Sequence, residues 1–274
     1  MTNNGLVKAI PKSTPGRLTI GVLAGWKAYT GTINSFLDYV FRGIRAAAQQ
    51  NGANLMIACG TQSPLSTNLW SPAMPVIADG VDFLPVGPWN TDGLIIAAPI
   101  LNPVVTDYIQ SLIQEGFPVV FAGDHETSPA VIVDNQGGVM QAFDHLVRHG
   151  HQRIAFIAGH TAHEGDTTTR LDGYRQCLDK YGFPYDPDLV AFGEHTIAAS
   201  YQAMIEILSR KKPFTAVIAS NDEAAVGAMD ALRSMGLSVP QDVAVIGFDD
   251  RVESRAQIPL LTTVHHPMFE LGAR

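Results

Sequence analysis

Short apolar runs rich in β-branched residues alternate with longer stretches of helical period along most of this chain. That alternation restricts it to parallel α/β architecture with right-handed crossovers. The strand-like runs cover 18–24, 53–59, 93–98, 118–122, 153–158, 214–219 and 242–248, each short and apolar enough to be buried on both faces of a sheet. Helical patterns cover 32–50, closed by Asn51-Gly52, and then 104–115, 136–148, 170–181, 198–211 and 223–235. One stretch breaks the rhythm. Between Ser63 and Asn90 stand Pro64, Pro72, Pro75, Pro85 and Pro88 with Trp70 and Trp89, which forbids a long regular helix and predicts an irregular excursion. A surface loop without a role and a lid or partner contact are both open readings of it.

With 274 residues, 46% of them hydrophobic and 16% charged, the chain can bury one large or two medium cores. A formal net charge of -8 opposes non-specific attraction to a polyanionic duplex, so this sequence is not expected to touch DNA itself. Cys59 and Cys177 lack metal-ligand spacing and are read as reduced packing residues. No apolar stretch is long enough to span a bilayer, and the first 17 residues lack the apolar core of a secretory signal, which predicts a cytoplasmic location and no membrane role.

Enzyme chemistry finds no foothold. There is no nucleophile elbow, no Walker A loop and no Gly-x-Gly-x-x-Gly turn after a strand, so neither catalysis nor a cofactor is expected. His145, His149 and His151 are close in sequence, but zinc needs three or four ligands and no Cys or Glu stands beside them; they read as a helix end and the turn into a strand, with no metal.

The polar residues that carry information sit where strands end. In open α/β sheets ligands collect at those carboxyl ends. Asn221-Asp222 follows the run 214–219 and Asp249-Asp250 closes the run 242–248, each offering short acceptors at the mouth of the sheet. Arg170 adds a planar fork of donors suited to vicinal hydroxyls, a carbonyl or a carboxylate, and can be neutralised by an aspartate when no ligand is present. Asp222 also suits the N-cap of the following helix, Asp250 suits a cap or a brace for its loop, and Asp134 and Asn135 read as hinge and cap residues.

Taken in order, Asp134-Asn135-Gln136-Gly137-Gly138, then His145 through Gly150-His151-Gln152-Arg153-Ile154, Arg170-Leu171-Asp172-Gly173-Tyr174, Ser220-Asn221-Asp222, and Val239-Pro240 through Gly247-Phe248-Asp249-Asp250 resemble the effector-binding core of the lactose-repressor (LacI/GalR) family of bacterial transcription regulators. The resemblance spans roughly 18–267 and is stronger after Pro118. It implies a periplasmic-binding-protein-like type I fold, with two Rossmann-like subdomains of parallel sheet around a ligand cleft. The first would occupy 17–132 and the second 133–262, after a disordered lead over 1–16; residues 263–274 would cross back to the first, in a helix that stops early. Positions matching Arg170, Asn221 and Asp249 line the effector pocket in that family. On the first subdomain Trp26, Tyr29 or Phe36 would suit a stacking ring, with core packing the better reading of Phe36 alone, and Asp124 or His125 would substitute where relatives carry an aspartate after the run 118–122 and this chain has Gly123. The implied function is an effector-sensing core for a sugar, polyol or nucleoside, dimeric, with DNA binding supplied by a separate helix-turn-helix domain. The alternatives are an input module for a larger signalling protein and, with less support, a transporter's solute-binding protein.

Overall fold

The computed structural model describes residues 16–24, 36–59, 86–97, 103–123, 128–160 and 166–274. The chain divides into two compact units, one formed by 1–132 with 268–274 and the other by 133–267.

In the first unit, strands β1 (Thr19–Ala24), β2 (Asn54–Cys59), β3 (Gly93–Ile96), β4 (Val119–Ala122) and β5 (Ala130–Val131) pair in parallel in the order β2-β1-β3-β4-β5. Helix α2 (Pro103–Gln114) covers one face, where Leu23, Leu94, Ile96, Ile109, Leu112, Val119 and Phe121 form the core. Helix α1 (Phe36–Gln50) packs closely against the terminal helix α7 (Met268–Ala273): a Cβ on Gly43 would overlap the Phe269 carbonyl, so a side chain there would separate the two helices.

The second unit repeats the topology. Its strands are β6 (Ile154–Ala158), β7 (Val190–Phe192), β8 (Ala216–Ala219), β9 (Ala244–Asp249) and β10 (Thr262–His265), all parallel, in the order β10-β9-β8-β6-β7. Every residue of β6 and β8 is buried. Helices α5 (Ile197–Ser209) and α6 (Asp222–Ser234) cover one face with Met204, Ile207, Met229 and Leu232. Helices α3 (Asn135–Arg148) and α4 (Asp166–Tyr181) cover the other with Phe143, Leu146, Tyr174 and Leu178. Three of these helices start on side-chain caps: Asp134 accepts from Gly137 N at 2.8 Å, Thr196 from Ala199 N at 3.3 Å and Asn221 from Ala224 N at 2.8 Å.

The expected strands and helices all have counterparts, with ends moved by a few residues. β5, β7 and β10 are additions, each too short or too polar to carry a periodic signal. β10 moves a boundary: the resemblance places 263–267 in the piece crossing back, yet Thr262–His265 pairs alongside β9, and the chain joins the first unit only at Met268. The lead at 1–15 and residues 60–85 of the proline-rich segment lie outside the described residues. Within 86–90, Gly87 N donates to Asn90 Oδ1 at 3.0 Å in a tight turn that leaves Trp89 exposed and Val86 buried.

Candidate functional site

In the second unit the strand order reverses direction between β6 and β8, and such a switch point opens a crevice outside the carboxyl ends of the strands. The polar side chains of this unit gather there. Arg170, one turn into α4, is the centre. Its guanidinium is 4% exposed and lies flat on the Phe248 ring, 3.8 Å from the centroid. Nε donates to Asn135 Oδ1 at 2.8 Å, one terminal nitrogen donates to the Ser220 carbonyl and stands 3.5 Å from Asp249 Oδ1, and the other stands 3.8 Å from Asp166 Oδ2. Asn135 Nδ2 in turn donates to Asp166 Oδ1 at 2.7 Å. A buried cation is tolerable only when paired and hydrogen-bonded in this way.

Asp249 ends β9 with φ of 115°, a backbone region that L side chains rarely occupy, and Asp250 follows at 55°. Asp249 Oδ1 is 3.4 Å from Nδ1 of the buried His266, and Asp250 pairs with His265 Nδ1 at 3.1 Å and Arg255 at 3.2 Å. Two consecutive aspartates thus meet two consecutive histidines at the end of the neighbouring strand.

Asn221 and Asp222 exchange their expected parts. Asn221 Oδ1 caps α6, and its Nδ2 donates to the His195 carbonyl at 3.3 Å, so part of its hydrogen-bonding capacity is already used. The cap role predicted for Asp222 is therefore corrected: as the first residue of α6 it is buried, accepting from Arg251 N at 2.8 Å and from Thr263 Oγ1. Burial outweighs those hydrogen bonds and raises its carboxyl from 3.8 to about 6. A Cβ on Gly247 would overlap Asp222 Oδ1, so only glycine fits beside it.

His195, in the turn between β7 and α5, completes the group. Its ring bonds Thr167 Oγ1 at 2.9 Å through Nε2 and Ser220 Oγ at 3.3 Å through Nδ1, with the His160 ring edge-on at 5.2 Å. His160 Nδ1 pairs with Glu194. Burial, reinforced by the Arg170 charge, lowers His195 to about 4, so the imidazole is neutral at pH 7.

Of the predicted site residues, Arg170, Asn221 and Asp249 converge. Phe36 is the first residue of α1 in the other unit. Trp26, Tyr29, Asp124 and His125 lie outside the described residues. Sequence reasoning missed the site parts played by Asp166, His195, Ser220 and His266 and read Asn135 only as a cap or hinge. Their one shared signal is position, at a strand end or a helix start. A depression of about 120 Å³ lined by Arg153, Tyr174, Leu178 and Phe183 lies at the amino end of β6 and contains none of them. Among the described residues no group of three or more His, Cys, Asp or Glu could hold a metal ion, and no helix is long and apolar enough to cross a membrane.

The fold and this edge define the class, a periplasmic-binding-protein-like ligand domain. Residues 143–274 match the periplasmic binding protein-like domain family. The chain is 38% identical over 168 residues to the HTH-type transcriptional regulator CelR of Thermobifida fusca, covering 60% of this chain and 49% of that one. It superposes on the solved transcriptional regulator CelR–cellobiose complex with a TM-score of 0.74 at 28% identity, covering 95% of this chain and 76% of that one. A sugar-binding LacI-family regulator from Escherichia coli aligns with a TM-score of 0.71 at 26% identity, covering 92% and 86%. These relatives are transcriptional regulators, and the chain resembles the effector-binding core of the LacI-family members among them. It spans about half the length of the curated relatives it matches.

Proposed function

We propose that this chain senses a sugar or related polyol at the carboxyl edge of its second sheet, as the effector core of a cytoplasmic transcription regulator that binds DNA through a separate domain and works as a homodimer. The observation that carries the reading is the convergence of Arg170, Asn135, His195, Asn221 and Asp249 at the switch point, on elements held by the fully buried central strands β6 and β8. A pyranose suits such an edge: Asp249 can accept from one hydroxyl, neutral His195 can exchange hydrogen bonds with another, and the Asn221 amide both donates and accepts. The cellobiose in the solved CelR complex supports a saccharide in particular. Effector binding would act by stabilising one of two states of the regulator, to the extent that it binds them unequally.

A thermal-shift panel of mono- and disaccharides including cellobiose, polyols and nucleosides tests the reading, with Asp249→Ala in parallel. The expected result is a saturable rise in Tm with one chemical class, lost in the variant. A well-folded protein with no concentration-dependent shift across the panel would contradict it.

A further inference from the structure

We propose that this edge selects uncharged, hydroxyl-rich ligands and rejects their phosphorylated or uronate counterparts, with Asp166 and Asp249 turning the Arg170 guanidinium inward. The inference rests on the ligand site proposed above and narrows its substrate class.

An arginine that receives an anion presents two parallel N–H groups to it. Here Nε is spent on Asn135, one terminal nitrogen on the Ser220 carbonyl and Asp249, and the other faces Asp166. One flat face is covered by Phe248. A phosphate or carboxylate would have to displace one of these carboxylates and then lie beside both.

The surrounding charges point the same way. Two carboxylates share one guanidinium, and the Asp222 carboxyl is near enough to Asp249 for the two to repel. Among the described residues, the other arginines near this edge are matched: Arg251 by Glu223 at 2.6 Å and Arg255 by Asp250 at 3.2 Å. His195 offers a neutral ring whose two nitrogens both meet hydroxyl groups, a pattern suited to exchanging hydroxyls with a ligand. Like-charge repulsion between partly buried groups a few ångströms apart gives a preference on the order of 100-fold for the neutral member of a pair. Arg170 becomes a positioning residue that orients Asp249 and Asn135, and Asp166 the residue that determines charge selectivity.

The test titrates the full chain with inorganic phosphate, and with chloride at matched ionic strength, using calorimetry and thermal shift, in wild type and in Asp166→Asn. Asp166 is nearly half exposed and asparagine can keep the contact to Asn135, so the variant should fold. The expected result is no saturable phosphate binding in wild type and a gain of it in Asp166→Asn. Saturable phosphate binding by wild type would overturn the proposal, and so would Asp166→Asn that ignores phosphate. Matched pairs such as glucose and glucose 6-phosphate, or galactose and galacturonate, give the second measurement, with the neutral member expected to bind more tightly. A tighter charged member would overturn charge selection while leaving the ligand site intact. Failure of every saccharide would instead count against the ligand site, and the phosphate arms would still decide this proposal.

Discussion

The interior of the second sheet and its carboxyl edge lie a few residues apart on the same strands and are stabilised by different physics. β6 and β8 present nine consecutive-strand positions that are all apolar and all buried. The next residues of β8 are Ser220, Asn221 and Asp222, equally buried and all polar. The interior gains stability from area removed from water, which is non-directional and indifferent to pH. The edge gains it only while each buried charge keeps its partner. A strong interior can therefore carry an edge that is costly to bury and open to chemistry.

The largest expected effect belongs to the interior. Phe156 is fully buried and stacks on Tyr174 at 4.9 Å, so Phe156→Ala should cost about 4 kcal/mol in urea unfolding followed by circular dichroism. A loss under about 1 kcal/mol would mean that the interior is not close-packed. Next is the edge's own centre. Arg170→Met leaves Asp249 beside Phe248 without its cation and should cost about 3 kcal/mol, part of which Asp249→Asn should restore in the double variant.

The pH dependence sharpens the contrast. Asp222 is raised from 3.8 to about 6, so its contribution is fully present below 3.8 and is lost as pH rises through about 6. His195 is lowered from 6.5 to about 4, so its contribution is fully present above 6.5 and is lost as pH falls through about 4. Each shift corresponds to about 3 kcal/mol, and over the same window the two slopes oppose and largely cancel. The separate variants should expose them: Asp222→Asn should grow more stable from pH 4 to 6.5, and His195→Gln less stable, in unfolding series across that range. Parallel profiles for both variants would contradict the assignment. The smallest effect is Asn221→Ala, expected to cost about 1 kcal/mol through the lost α6 cap, with Asn221→Ser recovering most of it.

The legible part of this molecule was its periodicity. Runs such as Ile154–Ala158 and Ala216–Ala219 announce buried strands because every residue is apolar, and α3 to α6 announce themselves by helical spacing. Arg170, Asn221 and Asp249 were found through motif order. Several of the remaining site residues are polar groups with partners far along the chain, as with Ser220, met by His195 from 25 residues away and by Arg170 from 50, and no local pattern encodes such a pairing. The exchange of roles between Asn221 and Asp222 has a similar cause. Either residue can cap a helix, and what decides is that Thr263, on β10, and the Arg251 backbone are waiting for a carboxylate. β10 itself reads as polar, Thr-Thr-Val-His, because it is an edge strand.

The most direct test of the central claim is hydrogen–deuterium exchange on the chain with and without the saccharide that gives the largest thermal shift. The account predicts slowed exchange in 193–197, 220–224 and 248–251, with 182–189 near the amino end of β6 unchanged. Protection confined to that amino end, with the carboxyl edge unaffected, would contradict it.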